Sequence, residues 1–316
     1  MKVIVTGAAG FIGSTLSEKL ISEGSSVIGI DSVNDNYDVK IKKNNLQGLL
    51  ANKNFEFINS NILEIDFSND YSDIEAIFHQ AATAGVRTSW GKNFRDYTEN
   101  NIMATQYLLE SFKNNNLKKF IYASSSSVYG NSDKMPLKIS TLTRPVSPYG
   151  VTKLAAENLV NTYHANYGLP AVSLRYFTVY GPRQRPDMAF HIFMKSAIRD
   201  IQIKIYGDGE QIRDFTYVDD VVSANMLALE NGISGSIYNV GGGSHISVNE
   251  VLKLIEEIAG RNLNIDYQQT QKGDVRRTEA DISLSRKELG YESGYDIKSG
   301  LENEFEWIRN NIDLLT

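Results

Sequence analysis

Three glycines constrain this chain more than any other feature. Gly7, Gly10 and Gly13 sit between an apolar run, Lys2-Val3-Ile4-Val5-Thr6, and a stretch that carries Leu16, Leu20 and Ile21 at helical spacing. The run reads as a short buried strand and the stretch as a helix, so the glycines form a strand-turn-helix joint. Small residues in such a joint let backbone amides and the helix N-terminus approach a pyrophosphate, and Gly13 lets helix and strand pack closely. Glycines also make ordinary turns. What separates the two readings is a second strand, Ser26-Val27-Ile28-Gly29-Ile30, which ends on Asp31 at about the distance where an acid meets an adenosine ribose. Asp31 would accept hydrogen bonds from ribose hydroxyls and repel a 2′-phosphate, which favours NAD over NADP.

The alternation continues down the chain. Phe55 to Asn59, Ile74 to His79, Phe120 to Ala123 and Ala171 to Phe177 read as further apolar strands with helical segments between them. Repeated units of this kind predict an α/β fold with a doubly wound parallel (Rossmann) sheet. After residue 177 the alternation loosens into longer loops and mixed short elements. The expected division is therefore a cofactor-binding domain over 1–177, rejoined by a return segment at about 212–231, and a smaller C-terminal α/β substrate domain over 178–316. Ligands of such sheets lie outside the carboxyl ends of the strands. That rule selects Asn61-Ile62, His79-Gln80-Ala81-Ala82-Thr83 and the serine run Ser124 to Ser127. Asn61 would meet the adenine edge, and Ala81 and Ala82 would let a cofactor lie against the backbone. His79 reads as a satisfied core histidine rather than a ligand.

Composition narrows the function classes. With 316 residues, a formal charge of −6 and no basic block, a nucleic-acid or anionic-membrane surface is not indicated. The absence of cysteine removes disulfides, thiolate metal sites and thiol nucleophiles together. Four scattered histidines make no spaced cluster, so no metal is expected. No apolar span reaches membrane length and no secretory leader is visible, which predicts a cytoplasmic protein.

The reacting group is expected in Ser147-Pro148-Tyr149-Gly150-Val151-Thr152-Lys153. Ser-Pro starts a helix, so Tyr149 and Lys153, four apart, share one face of its first turns. A phenol is a poor base at its reference pKa of about 10, but a neighbouring ammonium lowers that value. In a chain with 17 tyrosines the spacing alone carries little weight. The serine run adds to it, because a hydroxyl there would hold the substrate oxygen that Tyr149 deprotonates. Arg183, Arg185, Arg213, Arg276 and Arg277 fall in loop-like stretches. Each alone reads as a solvated charge, but as a set at least two are expected to meet a second, non-cofactor phosphate.

Taken in order, Gly7/Gly10/Gly13, Asp31, the serine run, Tyr149-x-x-x-Lys153 and Arg213-Asp214-Phe215 resemble the extended short-chain dehydrogenase/reductase family over essentially the whole chain, specifically its nucleotide-sugar epimerases. Within it, Ala84 to Gly91 and Tyr176 to Ala189 are most similar to the bacterial UDP-glucuronate 4-epimerases. The resemblance implies that Tyr149 is the acid/base, that Lys153 binds nicotinamide ribose and lowers the Tyr149 pKa, and that Ser125 is the hydroxyl partner. Phe11 and Ile12 would give amides to the pyrophosphate, and Asn61, Ile62, Ala81, Ala82 and Asn101 would complete the side that binds a retained, recycled NAD. Arg87, Arg185, Gln211, Arg213, Asp274 and Arg276 would hold the UDP-sugar. A homodimer is implied, paired through two helices at about Phe94 to Lys113 and Tyr149 to Tyr167.

The implied reaction oxidises the sugar at C4, lets the 4-keto sugar turn, and returns the hydride to its other face. For a glucuronate, the 4-keto form is a β-keto acid that loses CO₂ readily. Ser125, Ser126, Ser127 and Thr178 would hold its carboxylate with neutral hydrogen bonds. A decarboxylase or 4,6-dehydratase would carry an acid in the serine-run position, where Ser126 and Ser127 stand instead. UDP-glucose epimerases typically carry Asn where Thr178 stands, so a UDP-glucose or UDP-GlcNAc 4-epimerase is the alternative that Thr178 disfavours. A catalytically silent NAD-binding regulator is a second one, and would have lost Tyr149, Lys153 or the Ser125 hydroxyl.

Overall fold

The computed structural model describes residues 1–68, 71–270 and 275–315. In chain order the first half runs β1 (Lys2–Thr6), α1 (Phe11–Ser22), β2 (Ser26–Asp31), α2 (Val39–Leu50), β3 (Phe55–Asn59) and β4 (Ala76–His79). Then follow α3 (Phe94–Tyr97), α4 (Ala104–Phe112), β5 (Lys119–Ser125), α5 (Pro148–Tyr167) and β6 (Ala171–Tyr176). The second half comprises β7 (Thr178–Tyr180), α6 (Ala189–Arg199), β8 (Ile203–Tyr206), β9 (Ile212–Tyr217), α7 (Val218–Asn231) and β10 (Ile237–Val240). It closes with β11 (Ser244–Ser247), α8 (Val248–Ala259), β12 (Ile265–Gln268), α9 (Ser283–Leu289) and α10 (Ile297–Asn310).

The large sheet has seven strands in the order β10-β6-β5-β4-β1-β2-β3, and every pairing in it is parallel. Because its two faces are both covered, its strands read as nearly unbroken apolar runs. Val3 and Val5 face one layer with Leu16, Leu20, Ala224 and Leu229, while Ile4 faces the other with Leu108, Phe112, Ala156 and Val160. The strand order reverses between β1 and β4. A crevice opens at such a reversal beyond the carboxyl ends of the strands.

Two differences from the sequence expectation have physical reasons. Strand β5 continues through Ser124 and Ser125, so the serine run begins inside the sheet rather than after it. Ile212–Tyr217 lies in a separate three-stranded sheet, β11-β9-β7, so what comes back to the large sheet is α7 and then β10. A short run flanked by Ser and Gly, Ile237-Tyr238-Asn239-Val240 carries too little periodicity to announce itself. The remaining strands, β12 and β8, make a parallel pair beside α6, which packs against α8 and α10. α8 starts on a capping box formed by Ser247 and Glu250, and α10 buries Leu301, Phe305 and Ile308. No helix among the described residues is long and apolar enough to cross a membrane.

Candidate active site

The glycine joint is a tight cradle. Gly7 has φ 71°, and a Cβ there would lie 2.9 Å from the Ala81 nitrogen, while a Cβ on Gly13 would drive into the Gly7 carbonyl oxygen. Gly10 caps α1 without a side-chain hydrogen bond, so the amides at Phe11 and Ile12 open the helix with no local capping group. This is the environment a pyrophosphate needs. Asp31 Oδ2 accepts from the Ala9 amide at 3.1 Å and Oδ1 from the Val33 amide at 2.8 Å. A carboxylate has lone pairs beyond those two, which suits it to ribose hydroxyls as well. The donor set and the space therefore fit a dinucleotide.

The other cofactor-side residues arrange around this joint. Asn61 Oδ1 accepts from the Leu63 amide at 3.0 Å and caps the short turn Ile62–Glu64, which leaves its amide nitrogen as the group to meet an adenine acceptor. Ile62 is buried. The Ala81 amide donates to Thr6 Oγ1 at 3.1 Å, which fixes the backbone that Ala82 continues. His79 lies between the hydroxyls of Thr6 (2.8 Å) and Thr105 (2.9 Å), and burial pushes its pKa down to about 3. It is a neutral core histidine, as its sequence setting suggested. Asn101 sits in a π-helical turn, Thr98–Met103, and is buried. Its Nδ2 donates to the Thr83 carbonyl and to Thr152 Oγ1, and its Oδ1 accepts from the Thr83 amide. It thus ties the loop after β4 to α5.

Tyr149 and Lys153 come from the start of α5. Ser147 caps that helix by accepting from the Gly150 amide at 3.1 Å, and Pro148 occupies its first position, where a missing N–H costs nothing. A Cβ on Gly150 would lie 2.6 Å from the Ser127 carbonyl oxygen, so α5 abuts the turn Ser126–Val128 closely. The approach brings the Tyr149 phenol into hydrogen-bonding range of the Ser125 hydroxyl. Ser125 Oγ also accepts from the Ser127 amide at 3.1 Å. The Tyr149 ring meets Tyr97 edge-on, with centroids 6.2 Å apart.

Burial pushes the Tyr149 phenol above its ordinary value, against the pull of the Ser125 hydrogen bond and the Arg185 charge. The groups drawing the phenol down are Ser125 and Arg185. Lys153 turns its ammonium over the Tyr122 ring, 4.6 Å from the centroid, and burial lowers its pKa to about 7 while Glu157 opposes the fall.

The substrate-side residues form two groups. Arg185 forks onto Asp187 at 2.9 and 2.6 Å and reaches the Ala84 carbonyl at 3.3 Å, so it lies on the catalytic side of the cleft. Thr178 opens β7 directly after β6 and pairs with Phe215 of β9. In the second group, Arg87 stacks on the Tyr206 ring 4.5 Å away, and the Gln211 amide donates to the Tyr206 carbonyl at 3.4 Å. Arg213 donates to the Ile212 carbonyl, and Arg276, whose carbonyl accepts from the Ile212 amide, forks onto Asp208 at 2.8 and 3.0 Å. Asp274 lies outside the described residues.

Two arginines of the proposed phosphate set are held elsewhere. Arg183, at φ 73°, donates to Glu18 and Ser14 of α1, and Arg277 pairs with Glu279. Both find carboxylates that sequence spacing either hides or makes look incidental. Sequence reasoning also missed Glu157 and Arg175, a buried pair. Their signals were present: Glu157 stands one turn after Lys153, and Arg175 is the charged residue of the buried strand β6.

Comparison with known proteins gives the family. The sequence profile described as the NAD dependent epimerase/dehydratase family matches residues 3–241. A UDP-glucuronate 4-epimerase of Thermodesulfobacterium geofontis is 42% identical over 324 residues, covering 99% of this chain and 97% of that protein. A Bacillus subtilis protein named as an uncharacterised UDP-glucose epimerase is 43% identical over 310 residues, with 98% of each chain covered. The crystal structure of UDP-glucuronic acid 4-epimerase from Bacillus cereus with UDP-glucuronic acid and NAD superposes with a TM-score of 0.95 at 44% identity, over 98% of this chain and 99% of that one.

Proposed function

The chain belongs to the NAD dependent epimerase/dehydratase family, and on that premise we propose that it interconverts UDP-glucuronic acid and UDP-galacturonic acid. The observation that carries the reading is the Tyr149 phenol, beside the Ser125 hydroxyl and within the field of Arg185, at the carboxyl edge of the sheet. Gly7, Gly10 and Gly13, the Phe11 and Ile12 amides and Asp31 would hold NAD, which would supply the hydride acceptor and donor. Tyr149 takes the proton of the sugar C4 hydroxyl and later returns one, and Ser125 holds that oxygen during both transfers. Ser126, Ser127 and Thr178 hold the sugar carboxylate with neutral hydrogen bonds, so that the bond to CO₂ stays out of line with the C4 carbonyl. Arg87, Gln211, Arg213 and Arg276 fix the UDP, which leaves the hexose free to turn between the two hydride transfers.

A guanidinium beside the base serves an acid sugar in particular. Arg185 favours the phenolate, and its Nη1, which the bonds to Asp187 and the Ala84 carbonyl do not use, can donate to a sugar carboxylate. The two helical segments named for pairing carry exposed apolar residues, Phe94 (39% exposed), Met103 (49%) and Val151 (46%), which a second copy of the chain would cover. We take the protein to be a homodimer on that ground, and its need for NAD and a UDP-sugar fits the cytoplasm.

The test is to incubate purified protein with UDP-glucuronate or UDP-glucose, without added NAD, and to identify products by NMR. UDP-galacturonate from the first alone supports the proposal. UDP-galactose from the second, with UDP-glucuronate untouched, would support the reading suggested by the Bacillus subtilis relative instead.

A further inference from the structure

Behind the catalytic turn lie three buried charges, Lys153, Glu157 and Arg175, that the steps just described do not use. Tyr149, Lys153 and Glu157 follow one another at four-residue steps along α5, on one stripe of the helix. Lys153 and Glu157 are 3% and 1% exposed. Glu157 Oε2 accepts from the Ser124 hydroxyl at 2.6 Å and from Arg175 Nε at 2.9 Å, and Oε1 accepts from Arg175 Nη2 at 2.6 Å. Arg175 is held in turn against the Tyr129 ring, 4.7 Å away. Ser124 and Arg175 are register partners on β5 and β6, one residue before the Ser125–Tyr176 pair. The strand that delivers the Ser125 hydroxyl therefore also fixes the carboxylate one turn below Lys153.

The surroundings of Lys153 make that carboxylate matter. Strand β5 presents the neutral Tyr122 ring to its ammonium, β4 contributes His79, which is neutral, and α5 contributes Tyr149 and Glu157. Arg175 of β6 stands behind Glu157. Glu157 is thus the carboxylate acting on an ammonium that has lost its water.

We propose that Glu157, fixed by Ser124 and Arg175, is a positioning residue that keeps Lys153 charged and in place beside Tyr149. The proposal rests on the reading of Tyr149 and Lys153 as the catalytic pair, but its first readout does not depend on turnover. In NAD-loaded protein with ¹³C-labelled lysine, the Lys153 Cε signal, assigned through Lys153→Arg, is followed with pH. Glu157→Gln is expected to move its midpoint to lower pH and Glu157→Asp to restore it at least partly. In kinetics, Glu157→Gln should move the alkaline limb of kcat to lower pH, with KM little changed.

An unchanged Lys153 midpoint, or a loss of activity equal at every pH, would overturn the proposal. Glu157→Gln strands the Arg175 charge in the core and can fail to fold for that reason alone. The double variant Glu157→Gln/Arg175→Met removes both charges; because the guanidinium repels the ammonium that the carboxylate attracts, its midpoint should fall less than that of Glu157→Gln, and a midpoint that falls in neither variant overturns the proposal. A shifted midpoint in a protein that epimerises no UDP-sugar would sink the proposed reaction and leave the role of Glu157 standing. Full activity of Tyr149→Phe would likewise count against the reaction and not against Glu157.

Discussion

Asp31, the last residue of β2, accepts a hydrogen bond from the Ala9 amide of the glycine turn at 3.1 Å. The acid suited to a ribose therefore also braces the turn that receives the pyrophosphate. Asp31→Asn keeps the size but removes the charge and puts a donating NH2 in place of one of the two oxygens that accept from the Ala9 and Val33 amides, and charge-assisted bonds contribute about 1.5–3 kcal/mol. The expected result is a folded protein that retains NAD roughly ten- to a hundredfold less tightly. The NAD content of the purified protein, set against its added-NAD titration, measures this.

Gly13→Ala should be far more damaging than its size suggests. Its Cβ would meet the Gly7 carbonyl, a backbone atom that can move only by displacing β1 or α1. A loss of about 3 kcal/mol or more is expected, at the severe end for a single substitution. Urea denaturation of the two proteins tests it, and a variant of unchanged midpoint would contradict the packing described here.

Much of this was legible because parallel strands buried on both faces leave continuous apolar runs. The strands from Lys2, Ser26, Phe55 and Ala171 sit where those runs predicted, and the glycine turn and Tyr149 lie at their carboxyl edge. His79 read correctly from its place at the end of a buried strand. What escaped were pairings across the fold. Arg183 is held by Glu18 and Arg175 by Glu157, and no local pattern reports such a partner. The direction of the Tyr149 shift escaped because burial, which the spacing of Tyr149 and Lys153 does not encode, outweighs the Ser125 hydroxyl and the Arg185 charge.

Arg185 pulls the Tyr149 phenol down, so removing its charge should raise the pKa of the base. The base works deprotonated. Arg185→Gln is therefore expected to shift the acid limb of kcat to higher pH, with activity suffering more at about pH 6 than at about pH 9. A pH profile of reduced height and unmoved acid limb would contradict the role given to the Arg185 charge.

Acid stability follows from two histidines. Burial holds His79 down to about 3 and His191 to about 4, so both are neutral in the fold while the unfolded chain protonates them near 6.5. Their contribution is present above about pH 6.5 and is lost as the pH falls toward those depressed values. Each should add up to about 1.4 kcal/mol per pH unit to the slope of stability in that window. Denaturation curves between about pH 7 and pH 4.5 measure the slope, and His79→Gln should make it shallower.

The central claim is that the sugar loses and regains the same hydride at C4 without release of the cofactor. The most direct test is UDP-glucuronate deuterated at C4, incubated with the protein in ordinary water with no NAD added. The account predicts UDP-galacturonate with the deuterium still at C4. Deuterium lost to solvent, or a product that has lost its carboxylate, would contradict it.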